Sequence, residues 1–339
     1  SFGDKRKFFK QNWVLLGGFM RKLAVYVGFM NDRYRRRING AAEELGFSAT
    51  YYHSEAALAE EIGTFEVIYG HPDPALLQKA ESLRWLCSDF AGVEKYLPDH
   101  VWPRPDCLLS NGSGAYGPAI AEHVVMVLLM LLRRMPEYQA ALAERRWISC
   151  APIRSITGSR VVILGTGDIG SHTARRLKAL GASVTGVCRS GQTAEPAFGR
   201  VLPTAALDTV LPQADALVLA LPATAETAGI LSRERIALLP PAAYVVNVGR
   251  GAAIDQEALM EALQAGRLAG AALDVMTPEP LPPDHPLWGC PNTILTPHVS
   301  GNMALGLTCD WTVELFLRDL AHYAAGEALE NLVDRARGY

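Results

Sequence analysis

The sequence predicts an α/β protein made of two doubly wound parallel-sheet domains. Three observations carry that expectation. Short apolar strands alternate with amphipathic helices along nearly the whole chain, and the alternation falls into two blocks that part near residue 118. The second block opens on a strand that runs into three spaced glycines, VVILGTGDIG at 161–170. With 339 residues, 49% of them hydrophobic, the chain has enough apolar material for two cores.

In chain order, the first block offers LAVYV (23–27), FSATYY (47–52), FEVIYG (65–70), LRWLCS (83–88) and CLLSN (107–111) as strands, with AAEELG, EAALAEEI and PALLQKAESL as helices between them. Next comes VVMVLLMLL at 124–132, set between Glu122-His123 and Arg133-Arg134. It has less than half of the roughly 20 residues a bilayer crossing needs, so a fully buried helix is expected and no membrane association. The second block begins at Arg160 and supplies RVVILG, SVTGVC, ALVLAL, AYVVNVG, LAGAALDV and TILTPH as strands, with DQEALMEALQAG (255–266) among its helices. A closing helix near 305–325 is expected to return to the first block and leave that domain discontinuous. Residues 1–21 precede the first clear strand and read as an N-terminal extension or tag.

Charge excludes some functions. The 32 basic and 35 acidic residues are interspersed and sum to −3, which points away from nucleic acid and anionic membranes. The RRR run at 35–37 reads as the solvated face of a helix. Six cysteines lie far apart, without a CxxC pair or metal-ligand spacing, so reduced thiols, a cytoplasmic location and no metal site are expected. No secretory signal is recognisable at the start, because the stretch from Trp13 to Met20 lacks a long apolar region and a cleavage site.

The glycine turn has a mechanical reading. A strand feeds GTGDIG, and a helix with apolar Ile169, Leu177 and Leu180 follows, ending at Gly181 before SVTGVCR begins the next strand. In that context Gly165 permits a tight turn, Gly167 lets backbone approach a pyrophosphate, and Gly170 lets helix and strand pack closely. Asp168 and Ile169 open the helix, whose free N–H groups and partial positive charge suit phosphate. The turn is therefore expected to bind a dinucleotide. An NAD site places an acid about 20 residues past the first glycine. Here TGVCRSG has Cys188 at that place, followed by Arg189 and Ser190, which suit a 2′-phosphate and favour NADP(H). Arg189 stacking on adenine, with NAD(H) also used, is the alternative.

Three later stretches, VVNVGRGAAID (245–255), ALDVMTPEPLP (272–282) and HPLWGCPNTILTPHVSG (285–301), put one arginine, one glutamate and one histidine near strand C-terminal ends, where ligands of open parallel sheets bind. With CSDFAGVEKY, SNGSGAYGPAIAEH and LPATAETAGIL, these stretches resemble the D-isomer-specific 2-hydroxyacid dehydrogenases, a family that includes glyoxylate/hydroxypyruvate reductases and phosphoglycerate dehydrogenases. The resemblance runs from about residue 22 to near the end. It implies a Rossmann coenzyme domain (118–304) inserted in a discontinuous flavodoxin-like substrate domain (22–117 and 305–339). That arrangement explains why the glycine turn lies halfway along the chain.

The resemblance also implies roles. Arg250 binds the carboxylate and carbonyl of a 2-oxo acid, His298 is the acid/base, and Glu279 holds the imidazole; Glu226 and Asp274 are the other acids proposable from sequence for that last role. It implies that Asp274 contacts the nicotinamide amide, and that Leu221, Pro222, Thr227, Val248, Gly249, His298, Ser300 and Gly301 lie by the cofactor, with Thr224 nearby. The loop Phe90, Ala91, Gly92, Val93 would hold the substrate carboxylate on its N–H groups. Tyr69, His71 and Trp288 are candidates for the remaining pocket lining, whereas His123 reads as a core residue. A D-2-hydroxy acid product and a homodimer formed through the helix and arm near 118–150 are implied as well. Ala220 and Asn302-Met303 depart from the family's usual residues and leave the substrate's side chain open. Formate dehydrogenase pairs its histidine with glutamine, so Glu279 argues against it; a nucleotide-sensing binding protein of the same fold is the reading from another class.

Overall fold

A computed structural model describes residues 20–338. The first sheet comprises β1 (Arg21–Tyr26), β2 (Phe47–Tyr51), β3 (Val67–Gly70), β4 (Trp85–Cys87) and β5 (Leu108–Ser110), in the order β2-β1-β3-β4-β5. All its pairings are parallel, and the order is that of flavodoxin-like sheets. The second sheet comprises β6 (Arg160–Leu164), β7 (Ser183–Cys188), β8 (Arg200–Pro203), β9 (Ala216–Leu219), β10 (Tyr244–Asn247), β11 (Gly270–Leu273) and β12 (Thr293–Leu295). Its order is β12-β11-β10-β9-β6-β7-β8, also parallel throughout. The chain reverses its direction of travel at β6, between β7 and β9, the switch point of a Rossmann sheet.

Two compact units carry these sheets: residues 20–112 with Thr312–Arg335, and Ser113–Trp311 with residues 336–338. The inner strands are short and apolar on both faces, with β3, β4, β9, β10 and β11 buried along their whole lengths, whereas the edge strands β2 and β8 are partly exposed. Helix starts follow side-chain chemistry. Asn31, Ser54, Ser232 and Asp255 each accept a hydrogen bond from an N–H in the first turn of the helix they cap.

The structure alters three expectations. Arg21 pairs with Phe47 in β1, so the expected extension over 1–21 does not reach that far; residues 1–19 lie outside those described. The strand β8 was not expected, since RVLP is an edge strand that ends in proline and is only half-buried. The apolar run lies in helix Gly117–Leu132, which packs against helix Asp168–Ala179, β10 and β11, but it is not fully buried. A helix has two faces, and Met126 and Leu129 lie 47% and 38% exposed on the one that nothing within this unit covers. No described helix is long and apolar enough to cross a membrane.

Candidate active site

In the second unit the candidate residues lie along one edge of the sheet. Gly165 follows β6, Arg189 follows β7, Leu221 and Pro222 lie past β9, Val248 to Arg250 follow β10, Asp274 follows β11, and His298 lies past β12. These are all C-terminal ends of parallel strands, where the loops of an open α/β sheet form its ligand crevice.

The glycine turn fits a dinucleotide on its own geometry. Gly165 has φ +98°, and a Cβ there would lie 2.4 Å from the Ala220 oxygen. At Gly170 a Cβ would lie 1.9 Å from the Gly165 oxygen, which leaves no room for a side chain where helix meets strand. A Cβ on Gly167 would meet nothing within 4 Å, so the backbone there borders open space. Helix Asp168–Ala179 begins at that point without a side-chain cap, and its first N–H groups remain for an anion. The Asp168 carboxylate is turned away from them, accepting the Gly117 N–H at 2.8 Å.

At the end of β7, Cys188, Ser190 and Gln192 form a tight turn. Ser190 Oγ donates to the Gln192 carbonyl and accepts its N–H, at 3.2 and 3.3 Å. Burial pushes the Cys188 thiol up, but hydrogen bonds from Ser190, Thr166 and the Gln192 and Gly191 backbone outweigh it and bring its pKa below the ordinary value. Thr227 spends its hydroxyl locally, donating to the Pro222 carbonyl at 2.6 Å, and so closes the turn after β9.

Asn247, 1% exposed, shapes the turn after β10. Its Nδ2 donates to the Arg250 carbonyl and its Oδ1 accepts the Gly249 N–H. A Cβ on Gly251 would lie 2.2 Å from the Met276 oxygen, so the backbone after Arg250 is pressed against the loop that carries Glu279. The role of Asn247 was missed in the sequence, although its place between β10 and GRG was the available signal.

His298 Nδ1 lies 2.8 Å from Glu279 Oε2, and Glu279 Oε1 accepts the Met276 N–H at 2.9 Å. The carboxylate is therefore anchored on one side and orients the imidazole on the other. Nε2 has no partner among the described residues. The His298 backbone is left-handed, φ +54°, which costs energy for a residue other than glycine. The clamp that holds it is Asp274: its carbonyl accepts the His298 N–H, and its carboxylate accepts the Val299 and Ser300 N–H groups and the Thr296 hydroxyl. Burial alone pushes the Asp274 carboxyl up, but these donors outweigh it and hold its pKa below the ordinary range. His123 is half-buried rather than in the core, with Nε2 3.4 Å from Thr296 Oγ1. At Gly301 a Cβ would press on Ile120 and Tyr116, which brings the segment close to the start of helix Gly117–Leu132.

In the first unit, Phe90 to Val93 follow β4. The Phe90 carbonyl accepts the Gly112 N–H and the Ala91 carbonyl accepts Asn111 Nδ2, which fixes the loop. The N–H groups of Ala91, Gly92 and Val93 make no hydrogen bond among the described residues. Tyr69 requires a correction: it is wholly buried, stacked on Phe316 with ring centroids 4.1 Å apart, because it lies within β3, every residue of which is buried. It does not line a pocket. His71, one residue past β3, is partly exposed and pairs with Asp89, an acid that sequence reasoning passed over.

With this geometry in place, comparison with known proteins gives the family. The model for the NAD-binding domain of D-isomer-specific 2-hydroxyacid dehydrogenases matches residues 125–300. The chain belongs to that family, and its enzyme class is NAD(P)-dependent oxidation and reduction between 2-hydroxy and 2-oxo acids. Glyoxylate/hydroxypyruvate reductase A of Salmonella paratyphi B is 34% identical over 225 residues, 66% of this chain and 70% of that protein. A family member from Aeromonas salmonicida has a solved structure with TM-score 0.82 and 36% identity, covering 94% of this chain and all of that one. The NADPH-dependent glyoxylate/hydroxypyruvate reductase of Sinorhizobium meliloti, solved with NADP and sulfate, matches with TM-score 0.81 and 27% identity over 94% of this chain and all of that one.

Proposed function

We propose that the protein reduces a small 2-oxo acid to the D-2-hydroxy acid with NADPH, using His298 as acid/base, Glu279 as its partner and Arg250 as the substrate's anchor. The observation that carries this reading is the His298–Glu279 pair, anchored through Met276 and set on a backbone that Asp274 clamps. A reduced dinucleotide held by its pyrophosphate at the glycine turn would supply the hydride for the carbonyl carbon. The chain's own residues do the rest. The planar guanidinium of Arg250 carries a permanent charge suited to a carboxylate and its neighbouring carbonyl. His298 gives its Nε2 proton to the oxygen on which negative charge develops, while Glu279 fixes the ring through Nδ1 and offsets the imidazolium's charge. The unbonded N–H groups of Ala91 to Val93 are donors for a substrate carboxylate. The names of the Salmonella and Sinorhizobium relatives carry glyoxylate and hydroxypyruvate as substrates, which favours 2-oxo acids of that size. Chiral analysis of the product tests the reading: D-glycerate from hydroxypyruvate is expected, and L-glycerate would overturn it.

NADP preference rests on Arg189 and on the lack of an acid at Cys188. Charge-assisted hydrogen bonds to a 2′-phosphate contribute enough that Arg189→Ala should raise the KM for NADPH by about 10- to 100-fold. The KM for NADH should change little. Equal effects on both cofactors would show that Arg189 only stacks on adenine.

The protein is further proposed to form a homodimer. Met126, Leu129, Met135 and Leu142 leave an apolar strip on two successive helices, and Trp147 beyond them is 97% exposed. Such a strip marks an interface. Sedimentation at micromolar concentration should show a dimer and Leu129→Asp a monomer; a monomeric parent protein would refute the assignment.

A further inference from the structure

We propose that His71 reads the substituent on C3 of the substrate, so that the enzyme favours a 2-oxo acid with a C3 hydroxyl over one with a C3 methyl. This deepens the reading above and rests on it. His71 Nδ1 lies 2.7 Å from Asp89 Oδ1, and Asp89 is 1% exposed. A carboxylate is costly to bury unless it is paired, so Asp89 fixes the ring's orientation. The backbone beneath the ring is held as firmly. Lys95 Nζ donates to the His71 and Pro72 carbonyls at 3.3 and 3.4 Å, and the Tyr96 hydroxyl donates to the Pro72 carbonyl at 2.6 Å. Phe90 packs on the imidazole, with centroids 4.4 Å apart.

What remains open is the other edge of the ring. The His71 side chain is 32% exposed, and Nε2 has no partner among the described residues. Asp89 immediately precedes the Phe90–Val93 loop, and β3 and β4 are neighbours in the sheet, with Tyr69 paired to Cys87. The imidazole and the unbonded N–H groups of Ala91 to Val93 therefore sit at adjacent strand ends of one unit. A 2-oxo acid whose carboxylate takes those donors presents its C3 substituent next.

The chemistry of the ring selects a hydroxyl. With the Nδ1 proton given to Asp89, Nε2 accepts a hydrogen bond when the ring is neutral and donates one when it is charged. A hydroxyl answers either state, whereas a methyl answers neither and buries an unpaired ring nitrogen. Glyoxylate, which has no C3, offers no such substituent to His71.

The test is kcat/KM with NADPH for glyoxylate, pyruvate and hydroxypyruvate in the parent protein, His71→Ala, His71→Gln and Asp89→Asn. The parent should prefer hydroxypyruvate over pyruvate, and both His71 variants should lose about 10- to 100-fold of that ratio, with a smaller loss on glyoxylate than on hydroxypyruvate. Asp89→Asn should fall between, through KM rather than kcat. An unchanged ratio, or an equal loss on all three acids, would reduce the pair to a structural tie between strand ends and overturn the proposal. Failure of the parent to reduce any of the three would overturn the function itself, a result distinguishable from either.

Discussion

Replacing His298 with asparagine is expected to lower kcat for 2-oxo acid reduction by about 100- to 10,000-fold, the contribution of a positioned general acid. Asparagine is the informative substitution because the backbone at 298 is left-handed, φ +54°, and asparagine adopts that conformation more readily than most residues. Asn292 already does so in this chain, at φ +51°. The variant should therefore keep the Asp274 clamp, and its amide can still donate to Glu279. It removes the proton that His298 would transfer and little else. Fluorescence titration should find NADPH affinity nearly unchanged while steady-state kcat collapses. A retained kcat would show that the proton comes from elsewhere, whereas loss of both quantities would point to a disturbed 296–300 segment.

The second large effect separates two glycines only three residues apart. Gly170→Ala should destabilise the unit by about 3 kcal/mol or more, the upper range of overpacking penalties. Its Cβ would lie 1.9 Å from the Gly165 oxygen, and a backbone atom in that turn moves only if helix and strand part. For a unit of this size that corresponds to a Tm lower by about 6 to 12 °C, with dinucleotide binding lost alongside. Gly167→Ala meets nothing within 4 Å and should leave Tm unchanged. Its methyl nevertheless projects into the space proposed for the pyrophosphate, so NADPH affinity should fall by about 10-fold or more. Equal Tm losses in both variants, or normal affinity in Gly167→Ala, would refute the assignment of this turn.

Those two glycines also show what was legible in the sequence. Spacing, strand and helix together were enough to assign a job to each of Gly165, Gly167 and Gly170, because the constraint is local to one turn. The strand alternation likewise conveyed both sheets, missing only β8, where half-burial and a terminal proline mute the signal. Sites assembled from distant segments were less readable. Glu279 and His298 were paired by family resemblance; nothing in their spacing shows that Met276 anchors one and Asp274 holds the backbone of the other. Tyr69 misled because the sequence left the end of β3 open to within a residue or two, and in a strand buried on both faces that boundary decides between core and loop. His71 lies two residues on and was legible as a candidate, but Asp89, 18 residues away and hidden beneath it, was not.

The most direct test of the account is the rate at which purified protein oxidises NADPH, with NADH in parallel, across 2-oxo acids from glyoxylate to phenylpyruvate. Turnover of a small 2-oxo acid, faster with NADPH and abolished in His298→Asn, is the predicted result. Tight NADPH binding without turnover of any acid would contradict it, and would make the protein a nucleotide-responsive binding module on a dehydrogenase fold.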